Sequence, residues 1–310
     1  MQSRKPILIA GPTASGKSAL ALALAEHYGG VIINADSMQV YRELAILTAR
    51  PVAAELARAP HRLYGHVPAS EAYSAGRWAT DVAAALAQAR AQGRRPIIVG
   101  GTGLYFSALL EGLSPIPPVP DGVRAHWRGE ARRLGADALH ADLARRDPEM
   151  ASRLAPGDRQ RVTRALEVLA ATGRSLAAWQ RAPGQPVLDA TACVRLLVVP
   201  ERAELQRRCD ARFDAMMAAG GLAEIAAFRD LRLDAALPAM RALGVAALAA
   251  HLDGGLDLAT AIEAAKRETR QYAKRQLTWL RRHMIAWNNV FEQLSESKID
   301  RIISMIDDVD

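Results

Sequence analysis

Eight consecutive residues near the beginning of the chain have the types and spacing of a phosphate-binding loop. Residues 11–18 read GPTASGKS and fit the pattern G-x-x-x-x-G-K-[ST]. They lie between an apolar run, residues 6–10, and a helical run, residues 19–28, and the motif requires this strand–loop–helix setting. Its glycines let backbone N–H groups surround phosphate oxygens, and the helix N-terminus adds partial positive charge. The alternative is a glycine-rich turn that binds no ligand.

From this motif we predict a site for a phosphorylated ligand. Lys17 would reach a diphosphate, and Ser18 would offer its hydroxyl to Mg²⁺. The motif does not identify the ligand. The residues predicted to surround it are Gly11, Pro12, Thr13, Ala14, Ser15, Gly16, Lys17 and Ser18.

Two other polar residues follow apolar runs that we predict to be strands. Asp36 comes after residues 31–34, and Thr102 lies in the run GGTG, residues 100–103. Asp36 with Gln39 could form a capping box that opens a helix, or Asp36 could be a general base or metal ligand beside the bound phosphate. Thr102 could be a helix N-cap. However, three glycines in four positions exceed the needs of a turn, which suggests that the backbone approaches a ligand and that the threonine hydroxyl points at it.

The order of apolar and helical runs predicts an α/β fold. Residues 6–113 alternate short apolar runs with helical stretches such as residues 75–92, which indicates a parallel sheet flanked by helices, like that of P-loop NTPases. Ligands of such sheets bind at the carboxyl ends of the strands. The phosphate loop, Asp36 and Thr102 would all lie at that edge.

Two proline-rich breaks, residues 114–121 and 182–186, enclose a helical segment. From Arg124 to Arg181 it has twelve Arg, no Lys and seven Asp or Glu, so it carries +5 of the chain's net charge of +7. Because the apolar run 194–199 then reads as another strand, we predict an insertion into the sheet domain. The predicted domains are a P-loop core, residues 1–113 and 192–310, and an all-helical arginine-rich insertion, residues 114–191.

Two basic helices are predicted in the C-terminal part of the core. Residues 202–219 form an amphipathic helix that ends at two glycines. It carries Arg212, whose guanidinium could hold a diphosphate through two hydrogen bonds, although a single arginine is more typical of a solvated surface. Residues 258–287 form a long helix with seven Lys or Arg and one acidic residue between positions 266 and 282. A solvated face is the simplest interpretation of that charge taken alone.

Composition narrows the class of protein. The chain has 310 residues, of which 50% are hydrophobic and 24% charged, as in a globular protein. A pI near 9.8 favours an acidic partner such as nucleic acid, although a merely basic enzyme would look the same. Cys193 and Cys209 form neither a metal-ligand pattern nor a disulfide framework. With no apolar run near the roughly 18 residues of a membrane span and no signal peptide, we expect a cytoplasmic protein.

Taken together, these residues resemble one family, the tRNA dimethylallyltransferases, also called tRNA isopentenyltransferases or IPP transferases. The resemblance extends from residue 11 to residue 281, and its later blocks are more specific than the phosphate loop, which many kinases share. The matching blocks are GPTASGKS (11–18), NADSMQVYR (34–42), AYSAGRW (72–78), GGTGLYF (100–106), RQRVTRALEV (159–168) and TRQYAKRQLTWLR (269–281).

The resemblance implies an enzyme that transfers a dimethylallyl group from dimethylallyl diphosphate, with Mg²⁺, to the exocyclic amine of the adenosine next to a tRNA anticodon on its 3′ side. It implies that Asp36 is the general base, that Thr102 contacts the amine or the nearby phosphate, and that Arg212 binds the diphosphate. A monomer is the default. The residues implied to contact the tRNA anticodon stem-loop are Asp36, Ser37, Met38, Gln39, Thr102, Arg124, Gln160, Arg161, Val162, Thr163, Arg164, Met240, Arg241, Ala242, Leu243, Gly244 and Val245.

The chain departs from the family pattern in two places. The usual run DIGTAKP appears as AILTARP, residues 45–51, which puts Leu47 where a glycine is expected in a turn. The usual Arg-x-x-Gly-Tyr appears as RALGV, residues 241–245, without the tyrosine. Two other functions stay open, a small-molecule kinase that uses ATP and a non-catalytic P-loop protein that binds RNA. The hypothesis of a non-catalytic RNA-binding protein assigns no role to Asp36 or Thr102.

Overall fold

A six-stranded sheet lies at the centre of the larger part of the chain. We describe residues 5–290 and 295–310 of a computed structural model. The strands are β1 (Ile7–Ala10), β2 (Val31–Asn34), β3 (His61–Arg62), β4 (Pro96–Gly100), β5 (Val194–Val198) and β6 (Asn288–Val290). They lie in the order β3-β2-β4-β1-β5-β6, and every neighbouring pair is parallel. This confirms the predicted α/β fold of the P-loop type.

Helices connect the strands, as parallel pairing requires. They are α1 (Lys17–Tyr28), α2 (Ala53–Arg58), α3 (Ala75–Ala91), α4 (Gly103–Leu110), α5 (Asp121–Arg133), α6 (Ala136–Arg146), α7 (Pro148–Ala151), α8 (Arg159–Thr172), α9 (Leu176–Gln180), α10 (Arg202–Ala218), α11 (Gly221–Asp230), α12 (Val245–Leu252), α13 (Leu258–His283) and α14 (Glu296–Asp307). Two 3₁₀ turns, Ala190–Ala192 and Pro238–Arg241, complete the regular structure of the described residues. Among those residues no helix combines the length and the apolar character that crossing a membrane requires.

The chain divides into two compact units. The sheet unit consists of Met1–Leu110 and Val187–Asp310, and the helical unit is Glu111–Pro186, with α5 to α9. The helical unit has its own apolar core, which includes Trp127, Leu143 and Leu166. The sequence had placed the limits of this segment at residues 114–191.

Both faces of the sheet are buried. In β1 the side chains alternate, because successive residues of a strand point to opposite faces: Leu8 and Ala10 belong to one apolar cluster, while Ile7 and Ile9 belong to another. The second cluster is shared with α1 and with Ile302 and Ile306 of α14. A strand with four fully buried residues fits the continuous apolar run seen in the sequence.

Two strands and one helix end were not predicted. β3 and β6 contain two and three residues, and neither has an apolar run that could reveal it. The long C-terminal helix ends at His283 and does not continue to residue 287. Met284 and Trp287 are instead buried in the core beside the sheet, and the chain then enters β6, which pairs with β5.

Candidate active site

The loop after β1 has the conformation that a phosphate requires. Gly16 (φ 94°) and Ala14 (φ 61°) are in the left-handed region, which turns the chain into α1. No side chain caps this helix, so its first N–H groups are available to an anion. The Ser15 hydroxyl is buried and has no hydrogen-bond partner among the described residues. A loop with free donors and an unsatisfied buried hydroxyl is suited to an anionic ligand.

Two cations face this loop. Lys17 is 8% exposed, and its Nζ donates to the Pro12 carbonyl oxygen at 3.1 Å. Burial, and then the nearby Arg212 guanidinium, lower the pKa of Lys17 to about 8, while Asp36 and Cys209 partly offset the change. Burial also lowers the pKa of Arg212, again opposed by Asp36. Lys17, Arg212 and Asp36 therefore lie close enough to interact electrostatically.

Arg212 differs from its two neighbours on α10. Arg207 and Arg208 both bind Glu204, at 2.6 and 2.5 Å. Arg212 makes no ion pair with any described residue within 4.0 Å, and its charge contributes to the lowered pKa of Lys17. Its guanidinium is thus free to bind a ligand.

Asp36 opens a turn and does not open a helix. Its Oδ1 accepts the Met38 N–H at 2.9 Å, and its own N–H donates to Asn34 Oδ1 at 2.9 Å. The Gln39 side chain donates to the carbonyl oxygens of Thr48 and Ala49, both at 2.8 Å. The capping-box alternative is therefore wrong, since no helix follows residue 39 and Gln39 is used elsewhere. One carboxylate oxygen of Asp36 makes no hydrogen bond to another described residue.

Thr102 lies beside the Asp36 turn. Its Oγ1 accepts the Ser37 N–H at 2.9 Å and lies 3.3 Å from Ser37 Oγ. The helix α4 does begin directly after Thr102, but the hydroxyl is bound to the neighbouring loop and does not cap that helix. The Thr102 side chain is therefore connected to the Asp36 turn through Ser37.

The glycines around Thr102 are explained by protein contacts, which corrects our expectation of a ligand. A Cβ on Gly101 would lie 2.2 Å from Gln276 Nε2, and one on Gly103 would lie 2.2 Å from the Trp279 ring. A Cβ on Gly100 would lie 2.0 Å from the Ala35 carbonyl oxygen. The close approach that these glycines allow is to α13 and to the Asp36 loop.

Sequence reasoning missed the contribution of one face of α13. Tyr272, Gln276 and Trp279 are spaced by four and three residues, so they share a face of the helix. Burial, and then the Asp36 carboxylate, raise the pKa of Tyr272, whose hydroxyl interacts with the Thr102 side chain. A tyrosine, a glutamine and a tryptophan on one face of an otherwise basic helix could have indicated that this face is not solvated.

Two more tyrosines face the same carboxylate. Burial is the main cause that raises the pKa of Tyr64 and of Tyr105, and the Asp36 charge adds to it in both cases. Tyr105 also stacks on Trp78, with ring centroids 4.4 Å apart. The Asp36 carboxylate thus interacts electrostatically with three tyrosines, Tyr64, Tyr105 and Tyr272, and the sequence alone did not identify them.

A cavity of about 250 Å³ lies between α10 and α13. Apolar side chains of Leu205, Cys209 and Ala273 form a small cluster there, and Ala14 of the phosphate loop packs against it. The other lining residues are mainly basic, namely Arg202, Arg267, Arg270 and Lys274. Much of the positive charge predicted on the C-terminal helices therefore lies next to the phosphate loop.

The unusual segment at residues 45–51 is held by a carboxylate. Glu224 of α11 accepts the backbone N–H groups of Ala45, Ile46 and Leu47 at 2.7 to 2.9 Å. The turn places Ala49, not Leu47, in the left-handed region (φ 49°). Leu47 is 6% exposed and packs in the core, so replacing the usual glycine leaves the turn intact.

The predicted tRNA-binding residues of the sheet unit include buried ones. In residues 240–245, Ala242 and Val245 are buried, and Gly244 (φ 83°) precedes α12. Arg241 is exposed. The surface of this segment is therefore formed mainly by Arg241 with parts of Met240 and Leu243.

In the helical unit, too, the predicted tRNA-binding residues include both buried and exposed side chains. Val162 and Thr163 face its core, whereas Gln160 and Arg161 are exposed at the beginning of α8. Arg164 lies 3.5 Å from Glu167. The Arg124 Nε is buried and has no hydrogen-bond partner among the described residues.

The chain matches two family models. The model described as IPP transferase matches residues 39–283, and the model described as isopentenyl transferase matches residues 5–70. Among named relatives, the tRNA dimethylallyltransferase of Parvibaculum lavamentivorans is 54% identical, over 98% of this chain and 96% of that protein. The tRNA dimethylallyltransferase of a Methylobacterium species is 59% identical, over 89% of this chain and 90% of that protein.

Solved structures agree with these matches. The full-length tRNA isopentenylpyrophosphate transferase from Bacillus halodurans aligns with a TM-score of 0.70 and 31% identity, over 99% of this chain and 96% of that one. A eukaryotic dimethylallyltransferase, solved acting on tRNA, aligns with a TM-score of 0.76 and 29% identity, over 90% of this chain and 70% of that one. The chain is thus similar to these enzymes along nearly its whole length.

Proposed function

We infer that this chain, which belongs to the IPP transferase family, transfers a dimethylallyl group from dimethylallyl diphosphate to a tRNA. The acceptor is the exocyclic amine of the adenosine 3′-adjacent to the anticodon, and diphosphate is released. The observation that carries this proposal is the grouping of Asp36, Lys17 and Arg212 at one end of the sheet, with Thr102 beside Asp36. A proton acceptor and two cations are what this substitution needs.

Asp36 is the general base in this proposal. The amine nitrogen forms a bond to the allylic carbon of the donor while the bond from that carbon to the diphosphate oxygen breaks. The nitrogen then loses a proton, which the free oxygen of the Asp36 carboxylate accepts. Such a transfer contributes about 10²- to 10⁴-fold to the rate. The Thr102 hydroxyl holds the Ser37 N–H and so keeps the Asp36 turn in position.

Lys17, Arg212 and the loop amides bind the leaving diphosphate. Negative charge develops on the bridging oxygen as the carbon–oxygen bond breaks, and fixed cations and N–H groups stabilise it. Because Lys17 is buried and lies near another cation, its charge is costly until the diphosphate binds. The bound anion removes that cost, so binding energy and charge stabilisation come from the same groups.

We also propose Mg²⁺ as the cofactor, held by the Ser18 hydroxyl and the diphosphate. Ser18 is exposed at the beginning of α1. No group of three or more His, Cys, Asp or Glu in the described part of the chain could hold a metal. This donor set fits Mg²⁺, which commonly keeps several waters and binds through one or two protein ligands and substrate phosphates. When bound, the ion would neutralise charge on the diphosphate oxygens.

The proposed partner is the anticodon stem-loop of tRNA. The target base must leave its stack to reach Asp36, as in other enzymes that modify a base. Exposed arginines such as Arg161 and Arg241 would bind phosphates of the loop. We propose that the enzyme acts as a monomer, and the tRNA substrate implies the cytoplasm.

The test is one incubation with unmodified tRNA, Mg²⁺ and either dimethylallyl diphosphate or ATP, followed by mass spectrometry of the nucleosides. We expect a prenylated adenosine with the dimethylallyl donor only. ATP consumption without a modified nucleoside would favour the kinase, and tRNA binding without turnover would favour the non-catalytic protein. The full-length matches to prenyltransferases favour the transfer over both alternatives.

Asp36→Asn tests the base. We expect turnover to fall by about 10²- to 10⁴-fold with tRNA binding retained. Asp230→Asn is the matched control, because Asp230 is an exposed carboxylate in the same unit, at the end of α11. If both variants keep the wild-type rate, Asp36 is not the base.

A further inference from the structure

One side chain joins the two loops that the proposed reaction must bring together. Gln276 of α13 is 6% exposed. Its Oε1 accepts the Thr13 N–H of the phosphate loop at 2.9 Å, and its Nε2 donates to the Gly101 carbonyl oxygen at 2.9 Å. Thr13 belongs to the loop that follows β1, and Gly101 precedes Thr102 in the loop that follows β4.

The contact between these parts is tight. The Cβ position of Gly101 is 2.2 Å from Gln276 Nε2 and 2.9 Å from the Gly11 carbonyl oxygen. The two loops also meet directly, since the Gly11 N–H donates to the Gly100 carbonyl oxygen at 3.2 Å. A single turn of α13 thus presents Gln276 and Trp279 to residues 101–103 with no space for another atom. Movement of Gln276 would move both loops.

We propose that Gln276 is a positioning residue, which holds the phosphate loop in register with the loop that carries Thr102. This inference rests on the proposed function, because it takes the first loop as the donor site and the second as part of the acceptor site. Thr102 in turn holds Ser37, next to Asp36. The amide of Gln276 therefore fixes the distance between the diphosphate and the base that accepts the proton.

Only a primary amide has the chemistry for both contacts in this place. It accepts with one atom and donates with the other, whereas a carboxylate only accepts and a methionine does neither. Losing the register by about 1 Å is enough to cost roughly 100-fold in rate, because the reacting atoms leave their near-attack geometry. Affinity for tRNA depends on a wide surface and would hardly change.

The experiment compares Gln276→Met and Gln276→Glu with Gln88→Met, a control at an exposed glutamine of α3 in the same sheet unit. Single-turnover rates are measured with the enzyme in excess over tRNA and with dimethylallyl diphosphate saturating, far below the Tm of each variant. Dissociation constants for inorganic pyrophosphate and for tRNA are measured separately. For Gln276→Met we expect a rate that is about 10- to 100-fold lower and a tRNA affinity within about twofold of the wild type. Gln88→Met should change neither quantity.

Two results would overturn the proposal. One is a rate within about threefold of the wild type for folded Gln276→Met. The other is a rate loss matched by an equal loss of pyrophosphate-binding sites, which would mean that the side chain only supports folding. If Gln276→Met does not fold, the rate of Gln276→Glu is used in its place. The glutamate keeps the shape of the side chain and the contact with Thr13, but it cannot donate to the Gly101 carbonyl oxygen. A wild-type protein that does not prenylate tRNA refutes the proposed function instead.

Discussion

The arginines of the helical unit and the cations of the phosphate site differ in how their charge is used. Eight of the twelve arginines between residues 124 and 181 lie within 4.0 Å of an acidic side chain. The arginine side chains of these pairs are all exposed, with 40–77% of their surface accessible to solvent. Lys17 and Arg212, by contrast, make no such pair with any residue in the described part of the sheet unit. Lys17 is buried and Arg212 is half-buried, and this desolvation lowers the pKa of both.

This difference shows that net charge is a poor guide to where a protein binds an anion. An exposed ion pair is worth about 0–1 kcal/mol, is screened by salt and leaves little field for a ligand. A buried cation without a partner is unfavourable until an anion arrives. Residues 124–181 carry +5 of the net charge of +7, but the strongest attraction for a small anion lies at Lys17 and Arg212.

The largest effect is expected from Lys17→Met. Removing the buried cation should lower kcat/KM for dimethylallyl diphosphate by about 10²- to 10³-fold, as when one preorganised group that stabilises charge is lost. The same change should raise the Tm, since a charge that is costly to bury has been removed. Steady-state kinetics and thermal unfolding of the same preparation measure both.

A matched change in the helical unit is Arg153→Met, at an exposed arginine paired with Glu149. It should alter neither the donor kinetics nor the Tm appreciably. If Lys17→Met lowered the Tm and kept its activity, Lys17 would be a structural residue and the contrast between the two regions would fail.

The pH dependence of pyrophosphate binding should be the next largest effect. The pKa of Lys17 is lowered to about 8 in the free protein. Raising the pH through this value removes the charge, so affinity is present below pH 8 and is lost above it, by up to about tenfold per unit. Calorimetry between pH 6.5 and 9.5 measures this loss. Lys17→Met should lack the step near pH 8, which separates it from the titration of pyrophosphate itself.

Much of the fold could be predicted from the sequence. The four strands at its centre are largely apolar runs, because both faces of a parallel sheet are covered, and such runs are easy to recognise. β3 and β6 lie at the edges of the sheet and are too short to show a pattern. Their pairing is decided by tertiary contacts, which no local pattern records.

The site was predicted less completely, and the reason is physical. The phosphate loop, Asp36 and Thr102 follow strands, so a general rule about parallel sheets locates them. Gln276 lies 263 residues from its partner Thr13, and nothing local reveals the contact. The glycines at 100–103 were noticed but were explained by a ligand, because a requirement for space does not say which neighbour fills it.

Within the helical unit, arginines that lie far from and close to their acidic partner should differ in how much they contribute to tRNA binding. Arg161 is 73% exposed and lies 3.5 Å from Asp158, whereas Arg145 is 77% exposed but lies 2.8 Å from Asp142. For Arg161→Ala we expect tRNA to bind about three- to tenfold more weakly, with the salt slope reduced by about one. Arg145→Ala should stay within about twofold. Filter binding at several salt concentrations distinguishes them, and equal effects at both positions would contradict the comparison.

The smallest effect is expected from removing one of the exposed ion pairs, measured as a change in the Tm of the protein. Glu149 is bound by Arg153 at 2.6 Å and also by Arg181, so Arg153→Ala leaves the carboxylate with one partner. We expect the Tm to change by less than about 2 °C, and less still at high salt, because such pairs are screened and hold long side chains at an entropic cost. Glu149→Gln is the stricter test, because it removes the acidic partner of both Arg153 and Arg181. A fall in the Tm of about 5 °C or more in either variant, measured by thermal unfolding at low salt, would show that these arginines stabilise the helical unit. They could not then be treated as ordinary solvated charges.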